Sequence, residues 1–435
     1  MRAIFSDAHL LECMIEFELA LSRALAKTGV APAAAIPAIE GKSILASFDM
    51  GILAEQAGQA GNVAIPFVTA LRAIVAKTNP EAAKFVHWGA TSQDVLDTAL
   101  VLQLGEALAI FEQHLAKLAE ELAALAQKHK SAILAGRTWL QQGPPITFGM
   151  KVAGWLSAIE RHRARLKSTA AQVRVLQFGG AVGTLAALKD RGHDVAMALA
   201  AELKLELPDL PWHAHRDRIV EVATTLGLLT ATLGKIARDV SLLMQTEVAE
   251  ASEPSGVGRG GSSTMPHKSN PVGCAAVLAA ATRVPGLVSA MLGAMVQEHE
   301  RGLGGWHAEW EVLPEICMLA AGALSQTESM MSGLVVDEKR MQTNLEATHG
   351  LIFAEGLAMA LSGKLGRAAA HARVEELCRR AVTNGRHLRE EILQDPEIRS
   401  QLSDSQIESL FQPRNYLGSA EAFVDGVLAR RKKVC

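Results

Sequence analysis

The sequence predicts an all-α protein built around long helices. It is rich in alanine and leucine, it has one tyrosine in 435 residues, and runs of alternating β-branched residues are few. Those residue types favour helix over strand. Hydrophobic residues make up 49% and charged residues 20%, which is typical of a folded protein and not of a disordered one. The length allows two or three domains.

The clearest helix is predicted from Asp94 to about His129. Its apolar positions recur at alternating steps of four and three residues, which is the spacing of coiled coils and long bundles. These positions are Leu104, Leu108, Phe111, Leu115, Leu118, Leu122 and Leu125. Further long helices are predicted over residues 147–172, 216–248, 271–296 and 306–334. Pro271 suits a first helical turn, where the missing N–H costs nothing.

Long helices joined by short polar links predict a central bundle over residues 93–344. Residues 1–92 form a smaller helical domain in this interpretation, and residues 345–435 form another. The Gly/Ser-rich break from Ser252 to Thr264 is the one conspicuous loop.

Composition and charge exclude several classes of protein. The net charge is −3, so no basic surface indicates nucleic acid, and the basic run from Arg430 to Lys433 is explained by a solvated chain end. Charged residues interrupt each apolar stretch before it reaches the roughly 18 residues of a membrane span. The chain opens without a basic-then-apolar signal segment, and its five cysteines are scattered. We therefore expect a cytoplasmic protein with reduced thiols, no disulfide framework and no membrane partner.

Cofactor motifs are incomplete. Gly256, Gly258 and Gly261 fit G-x-G-x-x-G, but a predicted helix precedes them where a dinucleotide site needs a strand. His299-Glu300 begins an H-E-x-x-H pattern that Leu303 breaks. His213 and His215 could bind a metal in principle, but histidines of this kind are more often ordinary surface or hydrogen-bonded side chains. We expect no metal and no organic cofactor.

The strongest local feature runs from Gly260 to Pro271. It combines two glycines, the hydroxyls of Ser262 and Ser263, the cation of Lys268 and the amide of Asn270. Backbone N–H groups near a helix start, with Lys268 and Asn270, predict a site for a carboxylate. A serine in such an electropositive site ionises more easily and can act as a base. A surface loop before a capped helix explains the composition equally well.

Residues 261–271, GSSTMPHKSNP, resemble the signature loop of the fumarase/aspartase superfamily. The segment from His87 to Asp94 is similar to the family's H-x-G-x-T-S-x-D stretch. Further similar segments follow in family order, at residues 136–141, 177–183, 216–218, 245–247, 299–301 and 416–418. The resemblance implies a central bundle of five long helices between two small domains. It also implies a homotetramer that buries the long apolar seams between subunits and builds each active site from three chains.

Within the superfamily the chain resembles the cycloisomerases most closely, in residues 4–7, 61–66, 137–141, 211–213 and 305–310. Those enzymes usually carry residues before the counterpart of Ile4, so we expect that a short N-terminal piece is absent here. The resemblance implies that Ser262 transfers a proton on the carbon beside a carboxylate, and that Lys268 and Asn270 stabilise the charge that develops. The groups expected to bind the carboxylates and diene of a small tricarboxylate are His87, Thr91, Ser92, Trp139, Gln141 and Arg301.

Trp139 departs from the lyases of the superfamily, which carry a histidine there that is given a part in protonating a poor leaving group. In a cycloisomerase the group that adds or leaves is a carboxylate, which ordinarily has a pKa of about 4 and leaves without a proton. The indole can then pack against the substrate. The alternative is a hydrophobic substitution that abolishes activity.

Two other functions stay open. A fumarate-releasing lyase, most plausibly adenylosuccinate lyase, shares the region from Tyr416 to Gly418. A non-catalytic relative is possible because the superfamily includes a lens crystallin, although Ser262, Lys268 and Asn270 are all present.

Overall fold

The structure, a computed structural model, describes residues 1–36, 45–256, 260–261, 264–265 and 267–434. Within these ranges the chain is all-α, as predicted, apart from two small two-stranded sheets. The helices before the long ones are α1 (Asp7–Lys27), α2 (Met50–Ala60), α3 (Ala64–Thr78) and α4 (Pro80–Ala83).

Five long helices follow, and they begin and end close to the predicted residues. They are α5 (Ser92–Lys128), α6 (Phe148–Val173), α8 (Asp217–Leu243), α9 (Val272–Ala294) and α10 (Gly305–Ser332), with the shorter α7 (Gly192–Leu203) between α6 and α8. Helix α8 ends a few residues before its predicted end.

The apolar seam of α5 is buried within the chain itself. Leu104, Leu115, Leu118 and Leu122 are completely buried, and Leu108 is nearly so. The expectation that this seam is buried between subunits is therefore wrong. Its side chains find partners inside one chain, because the helices that carry complementary apolar faces belong to the same sequence.

Two compact units divide the chain, and each of the five long helices contributes residues to both. The first unit comprises Met1–His114, His162–Ala231 and Ala279–Leu324. Its interior contains an ion-pair network as well as apolar side chains. Arg216 is buried and donates to Asp97 at 2.7 Å and to Glu309 at 2.6 Å.

The second unit comprises Leu115–Arg161, Thr232–Leu278 and Ser325–Cys435. A hairpin that sequence analysis did not predict lies in it, with β1 (Ile133–Thr138) paired antiparallel to β2 (Gln141–Thr147). Its short segments β3 (Ala251–Ser252) and β4 (Val335–Val336) form the other sheet. The remaining helices are α11 (Glu338–Leu345), α12 (Ala354–Leu365), α13 (Arg367–Asn384), α14 (Leu388–Leu393), α15 (Pro396–Gln401), α16 (Asp404–Leu410) and α17 (Ala420–Val434).

Helices α12 to α16 enclose an apolar core of their own, which includes Leu361, Leu377, Leu388 and Ile407. The division at residues 92 and 344 into three domains stays a prediction. By length and composition, α8 and α9 would be long and apolar enough to cross a membrane, and 61% of the apolar stretch of α8 is buried inside the protein. Core helices of water-soluble proteins meet the same criterion.

Candidate active site

The segment from His87 to Asp94 forms a tight turn that leads into α5. The carboxylate of Asp94 is completely buried, and it accepts the backbone N–H of Thr91 at 3.0 Å, which holds the turn closed. It also accepts the N–H groups of Gly179 at 3.0 Å and Gly180 at 2.9 Å. A Cβ atom at Gly179 would lie 2.7 Å from Pro211, so only glycine fits this approach. One carboxylate thus holds the turn closed and fixes the remote segment of Gly179 and Gly180 against it.

Asp94 is itself held by His213, whose Nε2 lies 2.7 Å from the carboxylate. His213 is buried, so it is a structural partner of Asp94 and not a surface metal ligand. The described residues contain no group of three or more His, Cys, Asp or Glu side chains placed to hold a metal ion. Independence from a cofactor stays a prediction.

Three predicted substrate-binding residues lie in or beside this turn, and the structure brings a fourth to it. Thr91 and Ser92 are half-buried at the start of α5. The Arg301 guanidinium, far along the chain, donates to the Thr91 hydroxyl. In the described part of the chain the Nε of Arg301 has no hydrogen-bond partner. A cation and a hydroxyl side by side form a suitable site for a substrate carboxylate.

His87 begins the same turn and pairs with Glu18 of α1. The Nδ1 of His87 lies 2.5 Å from Glu18 Oε1, and its backbone N–H donates to Oε2 at 2.9 Å. Burial disfavours the charged ring, but the carboxylates of Glu18 and Asp94 together outweigh burial and raise the pKa of His87 above its ordinary value. The charged ring is therefore easier to form here than in a free imidazole, which suits a site that binds carboxylates.

Trp139 and Gln141 lie at the tip of the hairpin. Trp139 and Leu140 are the two turn residues, and they are 97% and 76% exposed. Below the turn, Arg137 donates to the buried Glu250 at 2.7 and 2.8 Å, which anchors the end of β1. The hairpin thus presents an indole at the end of a well-anchored support.

The base of the signature loop is closed by Asn270. Its backbone N–H donates to the carbonyl oxygen of Gly260 at 2.7 Å, and its side-chain amide lies 3.5 Å from the carbonyl oxygen of Gly261. Lys268 is exposed. Ser262, the predicted proton carrier, lies outside the described residues. The loop ends are therefore fixed ten residues apart in sequence and adjacent in space.

The start of α9 corrects one expectation. The helix begins at Val272, directly after Pro271, and its first amides are already bound by a protein carboxylate. Glu253 accepts the N–H of Gly273 at 3.0 Å and of Cys274 at 2.7 Å. The prediction that the helix-start amides bind a substrate carboxylate is therefore wrong for these two groups. Sequence analysis missed Glu253, although its position in the Gly/Ser-rich break before the helix was a usable signal.

A buried frame supports the turn from within the first unit. Asp97, one helical turn after Asp94, accepts the Trp306 indole N–H at 3.0 Å as well as Arg216. Burial raises the pKa of Glu309, while its ion pair with Arg216 opposes that rise. Asp97 and Glu309 were not predicted as site residues. Glu309 lies in the segment 305–310 that resembles the cycloisomerases, whereas no local pattern marks Asp97.

Two family models match most of the chain. The family described as "Lyase" matches residues 1–286, and the family described as "Adenylosuccinate lyase C-terminus" matches residues 350–427. The chain belongs to the fumarase/aspartase family. The resemblance inferred from the signature loop is therefore confirmed.

Named proteins of this family can be aligned with nearly the whole chain. A 3-carboxy-cis,cis-muconate cycloisomerase of Pseudomonas aeruginosa is 54% identical over 99% of this chain and 94% of its own length. One of Bradyrhizobium diazoefficiens is 50% identical over 98% of this chain and 95% of its own. The crystal structure of the 3-carboxy-cis,cis-muconate lactonizing enzyme from Pseudomonas putida superposes with a TM-score of 0.94 at 49% identity, covering 100% of this chain and 97% of the other.

Proposed function

We propose that the protein is a 3-carboxy-cis,cis-muconate cycloisomerase, an intramolecular lyase that adds a carboxylate of its substrate to a C=C bond of the same molecule. The 54% identity to a cycloisomerase over 99% of the chain carries the proposal. The product would be 4-carboxymuconolactone. The reaction belongs to the protocatechuate branch of aromatic degradation, the β-ketoadipate pathway, in the cytoplasm.

The addition creates an intermediate with two negative charges shared over carboxylate oxygens, an aci-carboxylate. The attacking carboxylate oxygen forms the C–O bond, and the electrons of the C=C bond move onto the neighbouring carboxylate. Lys268 and Asn270 stabilise this charge, and Ser262 delivers a proton to the carbon beside the carboxylate. No metal or organic cofactor takes part in this scheme.

The substrate carries three carboxylates, so the site needs several cations and donors. Arg301 beside Thr91, and His87 with its raised pKa, supply this charge in the first unit. Ser92 and Gln141 add neutral donors. These groups bind ground state and transition state alike, so we assign them to substrate affinity.

Trp139 distinguishes the proposed cycloisomerase from the lyases of the superfamily, which carry a histidine at this position. A carboxylate with its ordinary pKa of about 4 is ionised at neutral pH and needs no proton to leave or to add. The exposed indole at the hairpin tip offers a flat apolar surface for the diene.

We infer that the protein is a homotetramer with active sites shared between subunits. Only 22% of the apolar stretch of α9 is buried inside the chain, and Leu292 and the following Val296 are exposed. An apolar surface of this kind supports burial against other copies of the chain. The exposed Trp139 would then complete the site of a neighbour.

An ultraviolet assay tests the function. Purified protein is given 3-carboxy-cis,cis-muconate, and loss of the diene absorbance is followed beside parallel assays with adenylosuccinate and argininosuccinate. We expect turnover of the muconate alone. The match of residues 350–427 to the adenylosuccinate lyase C-terminus makes that lyase the second candidate. Cleavage of adenylosuccinate without lactonisation would favour it, and inactivity on all three would favour a crystallin-like relative.

A further inference from the structure

The carboxylate of Glu18 is buried in the first unit, and among the described residues its hydrogen bonds go to His87 alone. Glu18 is 2% exposed, and a charge so far from water needs strong partners. Both of its oxygens contact His87, one at the ring Nδ1 and the other at the backbone N–H. Glu18 therefore fixes the ring and the backbone of His87 together.

The backbone of His87 needs such support. Its φ angle is 62°, a left-handed conformation that non-glycine residues rarely adopt. Because Nδ1 donates to Glu18, the remaining ring nitrogen is Nε2. Within the described ranges no residue bonds to Nε2, and 14% of the side-chain surface stays accessible. The pair thus orients one nitrogen away from Glu18.

Three charged groups face the ring from the elements packed around it. Glu18 of α1 and Asp94 of α5 favour the charged imidazole, whereas Arg72 of α3 opposes it. Burial disfavours the charge as well, and the two carboxylates outweigh both opposing effects.

We propose that Glu18 is a positioning residue that holds His87 as an imidazolium, so that Nε2–H donates to a substrate carboxylate. Without Glu18 the neutral ring with Nδ1–H would present Nε2 as an acceptor, which repels a carboxylate. The inference rests on the proposed function, since it deepens the account of the same site.

The proposal predicts a pH dependence of substrate affinity. Because the pKa of His87 is raised, the ring stays charged to a higher pH, and KM should rise only as the pH passes through that pKa. Replacing Glu18 by the neutral glutamine keeps the side-chain shape and removes the charge. The rise in KM should then begin at lower pH, and KM at pH 7.5 should increase on the order of tenfold, with kcat changed little.

The test measures the pH profiles of KM and kcat with 3-carboxymuconate for wild type, Glu18→Gln and Glu12→Gln. Glu12 is a matched control, because it lies on the same helix and pairs with another histidine, His9, at 2.9 Å. A second readout does not depend on activity: diethyl pyrocarbonate modifies neutral imidazole, and peptide mass spectrometry reports its reaction at His87. Glu18→Gln should increase modification of His87 at pH 6.5, and Glu12→Gln should not.

If Glu18→Gln shows the wild-type KM profile and the wild-type modification of His87, the inference is overturned. Should Glu18→Gln fail to fold, His87→Gln decides instead, because it should lose the alkaline rise in KM; a retained rise would overturn the inference. A wild type that does not lactonise muconate overturns the proposed function, while His87 modification still reports on the pair itself.

Discussion

At the residue scale, both residues of the hairpin turn have an unfavourable backbone conformation and a bulky side chain. Trp139 has φ 53° and Leu140 has φ 65°, where two-residue hairpin turns prefer Asn-Gly. Each left-handed residue costs about 1–2 kcal/mol. Such strain tends to collect at functional sites, where the surrounding structure maintains it. The turn therefore supports a functional role for the exposed indole.

Trp139→His should not accelerate lactonisation. A carboxylate leaving group gives an added acid nothing to protonate, and the lost apolar contact should cost on the order of 1–3 kcal/mol in kcat/KM. Both lactonisation and adenylosuccinate cleavage should be measured for wild type and variant. Leu140→His, in the same turn, is the matched control and should have the smaller effect. A Trp139→His enzyme that lactonises faster than wild type would contradict the leaving-group explanation.

Ser262→Ala should abolish turnover and leave binding intact. The hydroxyl transfers the proton and does not hold the carboxylates, so kcat should fall by about 10²–10⁴ with little change in substrate affinity. Steady-state kinetics and calorimetric binding of the substrate check this. Ser263→Ala is the control, and greater damage from that variant would assign the chemistry to Ser263.

At the element scale, the start of α9 depends on a single carboxylate. Glu253 accepts two consecutive backbone N–H groups there, and the signature loop ends directly before them. Glu253 is buried. An anion at a helix N-terminus stabilises the helix through its unpaired amides and its dipole. The position of Lys268 and Asn270 thus depends on a residue outside the signature.

Glu253→Gln should therefore reduce both stability and activity. The glutamine amide can accept one N–H but turns a donor toward the other, so the free energy of unfolding should fall by about 1–3 kcal/mol. Urea unfolding and kcat should be compared with Glu247→Gln, an exposed carboxylate of the preceding segment. Equal stability of the two variants would show that the cap is dispensable.

A second element-scale prediction concerns α13 to α15. The pKa of Glu391 is lowered by its hydrogen bond from Asn384 and, despite burial, by Arg380. A lowered pKa in the folded state stabilises the protein above the unfolded pKa of about 4, and this stabilisation is lost as the pH falls.

Glu391→Gln should accordingly destabilise the protein more at pH 7 than at pH 3.5. Urea unfolding followed by circular dichroism at both pH values measures this. Glu390→Gln, an exposed neighbour, should behave like wild type. A destabilisation of Glu391→Gln that is the same at both pH values would show that charge is not the cause.

At the scale of the whole molecule, α9 leaves most of its apolar stretch unburied, with 22% buried against 61% in α8. Sedimentation at assay concentration should therefore give a homotetramer. Leu292→Glu should weaken association, because the substitution places a charge on this exposed apolar surface. Leu303→Glu is the control, because Leu303 lies outside the helix and is 88% exposed, against 49% for Leu292. A fully active monomeric wild type would contradict both the assembly and the shared site.

The helical fold could be predicted, and candidate site residues could be proposed, because both depend on local sequence patterns. The apolar residues of α5 recur at alternating steps of four and three, a spacing that can be read from residues close together in sequence. The candidate groups of the segment from Gly261 to Pro271 likewise lie at nearly consecutive positions. The hairpin was missed because residues 141–147 include glycine and two prolines, which give no strand signal.

By itself the sequence determined the long helices and the family, and it predicted which residues carry the chemistry. Only the tertiary structure decided how those residues are held. Glu18 reaches His87 across 69 positions of sequence, and Arg301 reaches Thr91 across 210. Glu253 accepts hydrogen bonds from the backbone amides that the loop pattern had suggested would bind the substrate. Buried charges take whichever partners the packed chain brings near, and that choice depends on the whole fold because desolvation makes an unpaired charge costly.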